Sequence, residues 1–158
     1  MIPLSSEARE QAKDFMRETL QIYPTKKPEV NASRERERER VITWTVEMIR
    51  HGFSEHGSRT MVPDMIWSSD YWKAVRGAVL IAYGGKCYIC QEKAEEVHHI
   101  RPRHLHGSDA PDNLMPLCKR CHDEIHRRLD KGLTDMIESV TASMEADTPR
   151  AQRKLEDF

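Results

Sequence analysis

Six of the chain's eight histidines and two of its four cysteines fall in one run of 31 residues, EVHHIRPRHLHGSDAPDNLMPLCKRCHDEIH, from Glu96 to His126. The chemistry these two side chains share at such density is the holding of divalent metal. With the cysteines just upstream, the thiols are arranged as Cys87-x-x-Cys90 and Cys118-x-x-Cys121. One such knuckle converges two thiolates on an ion, and two knuckles close the tetrahedral shell of a structural zinc. Buried free thiols or two disulfides are the alternatives, the latter disfavoured where thiols stay reduced. A closed four-thiolate site stabilises a fold but offers no position to a substrate, so catalysis would fall to the histidines.

His122 and His126 are four apart, on one face of a helix expected from about Lys119 to Leu129. Cys121 and His122 diverge by about 100° on that helix and serve different sites. An i,i+4 pair alone equally describes two exposed helix histidines. What strengthens it is a short strand expected from Glu95 to Ile100, on which His98 and His99 point to opposite sides. One of them can join the helix pair and the other cannot. That division suits in-line phosphodiester hydrolysis, where a metal stabilises the phosphate while a base on the far side deprotonates water.

The order Cys-x-x-Cys, His-His-Ile-x-Pro, Asp-Asn-Leu-x-Pro-Leu-Cys-x-x-Cys-His-x-x-x-His closely resembles the HNH endonucleases, with their ββα-metal fold, over about Trp72 to Asp130. The resemblance implies that His99 is the general base, and that His98, His122 and His126 are the protein's ligands to a single catalytic metal. It makes Asn113 the middle residue of the family name, holding the loop and orienting the His99 imidazole. Read alone, Asn113 in APDNL is an ordinary turn residue. Arg101, Arg103, Lys119 and Arg120 are candidates to neutralise phosphates, with solvated surface charge as the alternative. His104 and His106 receive no role. Many family members carry Asp where His98 stands, and HLHGSDAPDN lacks their paired glycines. Up to three imidazoles make a softer site that favours zinc, nickel or manganese relative to magnesium, although magnesium stays open by its abundance.

The activity so implied is metal-dependent cleavage of DNA, expected to be double-stranded, by nicking or double-strand cutting that leaves 5′-phosphate and 3′-hydroxyl ends. The cofactors are a structural Zn²⁺ and one catalytic divalent cation, Mg²⁺, Mn²⁺, Ni²⁺ or Zn²⁺. The rival reading is a catalytically silent, zinc-stabilised nucleic-acid-binding or adaptor module of the same fold. A larger protein partner, in a DNA-packaging or restriction complex, is also open, as is a monomer or a homodimer.

Around this site the sequence places mainly helices. Ser5 or Ser6 caps one to about Tyr23, with Ala8, Ala12, Phe15, Met16 and Leu20 at helical spacing. SRERERERVITWTVEMIRHG alternates with period two, yet Val41, Ile42, Thr45, Met48 and Ile49 share a helical face, which predicts a helix. Its charges form a solvated face or, alternatively, an arginine arm for phosphates. Gly52 to Ser69 reads as loop. A helix capped by Ser68 or Ser69 then runs to Gly84 and Gly85 and delivers the chain into Cys87. Leu133, Met136, Ile137, Val140 and Met144 make a last apolar stripe, suited to packing or to a dimer contact, before a frayed tail.

The expected fold class is therefore α+β and mostly helical: a ββα-metal core with a four-cysteine zinc site, N-terminal helices before it and a C-terminal helix after. Boundaries fall at 1–69, 70–132 and 133–158. With 38% hydrophobic and 32% charged residues the core is thin, and a metal staple would help it. The net charge of −1 hides eleven Lys or Arg against eight Asp or Glu between Tyr71 and Leu133, a local surplus that favours an anionic substrate. No run of eighteen apolar residues and no signal-peptide pattern appear, so a cytoplasmic protein without a membrane partner is expected.

Overall fold

The computed structural model describes residues 4–54, 57, 60–62 and 68–146. Four helices and one two-stranded antiparallel sheet follow in the order α1 (Ser6–Thr19), α2 (Pro28–His51), α3 (Ser68–Ala82), β1 (Glu96–His99), β2 (Leu114–Leu117) and α4 (Lys119–Ala146). Backbone contacts divide the chain into two compact units, Met1–His122 and Asp123–Phe158. The second is, among the described residues, the remainder of α4.

In the first unit α1 begins where the Ser5 hydroxyl accepts the Ala8 N–H at 3.0 Å. Met16 and Leu20 are fully buried against Val75, Ala78 and Val79 of α3 and Val41, Ile42, Val46 and Ile49 of α2. Truncating Met16 or Leu20 to alanine would cost about 2–5 kcal/mol. The alternating Arg/Glu segment is helix throughout, because burial of Val41, Ile42, Thr45, Val46 and Ile49 outweighs the period-two charge pattern. Its charges pair at i,i+3, as in Glu35–Arg38 and Glu37–Arg40, and Arg17 of α1 reaches across to Glu39 at 3.1 Å.

Beyond α3, Gly84 and Gly85 both adopt positive φ, 64° and 66°, which ends the helix and turns the chain toward Cys87. The strands pair in the register His98 with Met115 and His99 with Leu114, so both histidines stand beside the turn that Asn113 closes. The helix expected to stop near Leu129 instead continues to Ala146, since no helix-stopping turn interrupts it after His126. The side chains of the stripe from Leu133 to Met144, the cap at Ser68 or Ser69 and the tail from 147 onward lie outside the described residues.

Candidate active site and metal centres

The four cysteines converge. Their sulfurs lie within 4.8 Å of one another, with Cys90 Sγ 3.6 Å from Cys118 Sγ, and all four are free thiols and not disulfides. The first knuckle is a tight turn: the Gln91 N–H donates to the Cys87 carbonyl at 3.0 Å while Gln91 takes a φ of 63°. The Tyr88 N–H pins it to the Pro116 carbonyl of β2 at 2.9 Å. The second knuckle opens α4, where the Cys121 N–H points at Cys118 Sγ from 3.5 Å. Burial pushes the Cys87 thiol up, but N–H groups of Cys90, Cys118 and Ile89 outweigh it and hold it down at about 6. Cys121 is pushed up to about 12 by burial and by the other sulfurs. Four soft sulfur donors around one point, one already favoured as thiolate, match the donor set of structural zinc.

The histidines divide as the strand's alternation requires. His98, 8% exposed, faces His122 of α4 with ring centroids 5.5 Å apart. His126 follows one turn later on α4, and the ring nitrogens of His98, His122 and His126 lie within 4.8 Å of one another. His99 has other neighbours. Trp72 of α3 stacks on it at 4.9 Å and 23° between planes, and its Nε2 lies 2.8 Å from Asp109 Oδ1. Arg103 grips the same carboxylate with Nε and Nη2, at 2.8 and 2.9 Å, and sets its guanidinium 4.8 Å from the Trp72 ring centre. Burial pushes the Asp109 carboxyl up, but hydrogen bonds from His99 and Arg103 outweigh it and leave it below its ordinary value. An ionised carboxylate only accepts, so Nε2 of His99 carries the proton and a neutral ring keeps its lone pair on Nδ1.

Asn113 is fully buried. Its Oδ1 accepts the Arg101 N–H at 2.8 Å, and its Nδ2 donates to the Arg101 and Ser108 carbonyls at 3.0 and 2.7 Å. It thus holds the loop. The group found at His99 Nε2, however, is a carboxylate and not this amide, and the charge it brings is offset by Arg103. Neither Asp109 nor Trp72 was singled out by sequence reasoning. Ten residues separate Asp109 from His99 and 27 separate Trp72 from it, and no spacing rule spans such loops.

The four basic candidates differ in their surroundings. Arg101 is half-buried at its backbone clamp, and Arg103 is engaged by Asp109. Lys119 is exposed. Arg120, also exposed, is drawn to the Cys90 sulfur, whose hydrogen bond raises its guanidinium above the ordinary value. His104 and His106 are exposed on the loop. No helix among the described residues is long and apolar enough to cross a membrane.

Comparison with known proteins finds two curated relatives and one family. A stretch of 47 residues is 40% identical to the mitochondrial DNA mismatch repair protein mutS homolog of Sarcophyton glaucum, covering 26% of this chain and 5% of that one. A stretch of 45 residues is 40% identical to the type IV methyl-directed restriction enzyme EcoKMcrA of Escherichia coli (strain K12), covering 28% of this chain and 16% of that one. The chain thus spans a small part of the length of both curated relatives. No solved structure matches. The HNH endonuclease family model matches residues 87–128, which hold both cysteine knuckles, the His98–His99 strand, Asn113 and the His122–His126 turn. The segment 87–128 belongs to the HNH endonuclease family.

Proposed function

We propose that this chain is a metal-dependent endonuclease that hydrolyses phosphodiester bonds in DNA, with His99 as general base and the four cysteines holding a structural zinc. The observation that carries the reading is the sorting of two adjacent histidines. His98 joins His122 and His126 in an imidazole cluster, while His99 is held apart with a carboxylate at Nε2. His98, His122 and His126 would hold one divalent cation, which when bound offsets phosphate charge and stabilises the leaving oxygen. Three neutral imidazoles favour zinc, nickel or manganese relative to magnesium.

His99 takes the proton of the attacking water at Nδ1, the nitrogen left with a lone pair. Asn113 keeps the loop from Arg101 to Ser108 in the shape that presents this ring. Lys119 and Arg101, with the local surplus of positive charge, supply phosphate contacts. DNA as the substrate is supported by the family and by the two relatives, a restriction enzyme and a DNA mismatch repair homologue.

The test is cleavage of supercoiled plasmid in EDTA and then with magnesium, manganese, nickel and zinc in turn. The reading expects nicking or linearisation with at least one metal, none in EDTA, and losses of about 100-fold in His98→Ala and His122→Ala proteins that keep their zinc. A folded, zinc-loaded protein that binds DNA but cleaves with no metal would instead be a nucleic-acid-binding module.

A further inference from the structure

Four side chains close a ring of contacts around the proposed base: Trp72 on His99, His99 on Asp109, Asp109 on Arg103 and Arg103 over Trp72. Asp109 is the joint of this ring, because one oxygen, Oδ1, accepts from both His99 Nε2 and Arg103 Nε at 2.8 Å. A neutral imidazole left to itself exchanges its proton between two nitrogens and turns about its own bonds. Here the carboxylate selects the protonated nitrogen and the indole limits the plane.

We infer that Asp109 is the positioning carboxylate of His99, fixing the Nε2–H tautomer and the ring plane so that Nδ1 faces the attacking water. This rests on His99 being the base, and it adds a residue that the Cys, His and Asn motif does not supply. Arg103 acts on Asp109, holding the carboxylate by two hydrogen bonds in the orientation that meets Nε2. Trp72 comes from α3, outside residues 87–128, so the proposed base is completed by a helix beyond the matched segment. A carboxylate that acts through His99 changes turnover more than DNA affinity.

Two readouts test this on the full chain with zinc bound. The first is the His99 ring tautomer, read from its nitrogen-15 shifts at about pH 8, where a reference imidazole is neutral. Wild type should show Nε2–H alone, and Asp109→Ala should populate Nδ1–H. The second is cleavage: Asp109→Ala should lower kcat about 100-fold, with KM for DNA changed less than about threefold, and Asp109→Glu should recover part of the loss. An Nδ1–H ring in wild type would overturn the inference. So would an Asp109→Ala protein with unchanged tautomer, or one whose loss lies in KM. If His99→Ala cleaves like wild type, the general-base reading fails, whereas the tautomer result still reports on the Asp109–His99 contact by itself.

Discussion

Asn113 grips Arg101 on both sides of its backbone: Oδ1 accepts the Arg101 N–H at 2.8 Å and Nδ2 donates to the Arg101 carbonyl at 3.0 Å, while a second Nδ2 bond reaches Ser108. The amide is fully buried, so its own oxygen and nitrogen are removed from water and are satisfied by these three backbone groups. Asn113→Ala leaves all three without that partner and should cost about 2–4 kcal/mol. Asn113→Asp, which keeps the acceptor but loses both donors, should cost at least as much. The urea midpoints of the two variants against wild type check this.

The clamp also receives the chain that precedes the matched segment. Gly57 has a φ of 70°, and a Cβ there would sit 2.4 Å from Arg101 Cβ and 2.7 Å from Asn113 Oδ1. Gly84 has a similar φ of 64° but open space around it. Gly84→Ala should therefore cost only about 1 kcal/mol, for the left-handed backbone. Gly57→Ala adds the collision with the clamp and should cost about 2–4 kcal/mol. Equal unfolding midpoints for the two variants would contradict this account of Gly57.

Removal of the structural metal is expected to unfold the knuckles. At least one zinc per chain should be measured by elemental analysis of protein purified without added metal, and a four-cysteine site predicts that it stays in a His98→Ala, His122→Ala double variant. Stripping it with a strong chelator, or the change Cys87→Ser, should lower Tm by about 10 °C or more. The loss should appear equally in His99→Ala protein, since a closed four-thiolate zinc site stabilises a fold and offers no position to a substrate.

The Asp109 carboxyl gives a pH dependence with a defined sign. Burial pushes it up, and the His99 and Arg103 bonds outweigh this, so its folded value lies below the ordinary one. A depressed carboxyl contributes stability that is present above the unfolded pKa of about 3.9 and is lost as pH falls through the folded value. The stability gap between wild type and Asp109→Asn should therefore still be present at pH 5 and shrink below about pH 4. Denaturant titrations across that range measure it, and a gap that vanishes by pH 5 would contradict the lowered value.

Local spacing made much of this molecule legible. Cysteine pairs two residues apart announce a knuckle wherever they fall, and the four sulfurs do converge. Helical spacing of Val41, Ile42, Thr45 and Ile49 overrode the Arg/Glu alternation correctly, although Val46 and not Met48 completes the buried face. The period of a strand separated His98 from His99. What spacing could not show was contact made by loop closure. Asp109 reads as one polar residue in HLHGSDAPDN, and Trp72 as one aromatic on a helix. Both reach His99 only because the Asn113 clamp and the packing of α3 bring them there. The expected end of α4 near Leu129 is too early: the helix runs on to Ala146 and carries Gly132 within it, a residue that costs a helix interior only about 1 kcal/mol.

The most direct test of the account is the nicking rate of His99→Ala beside wild type, in whichever divalent metal supports the fastest cleavage. Both proteins should be folded, zinc-loaded and equal in DNA affinity. The account predicts a fall of about 10²–10⁴-fold in the variant. A variant that cuts at the wild-type rate would contradict it.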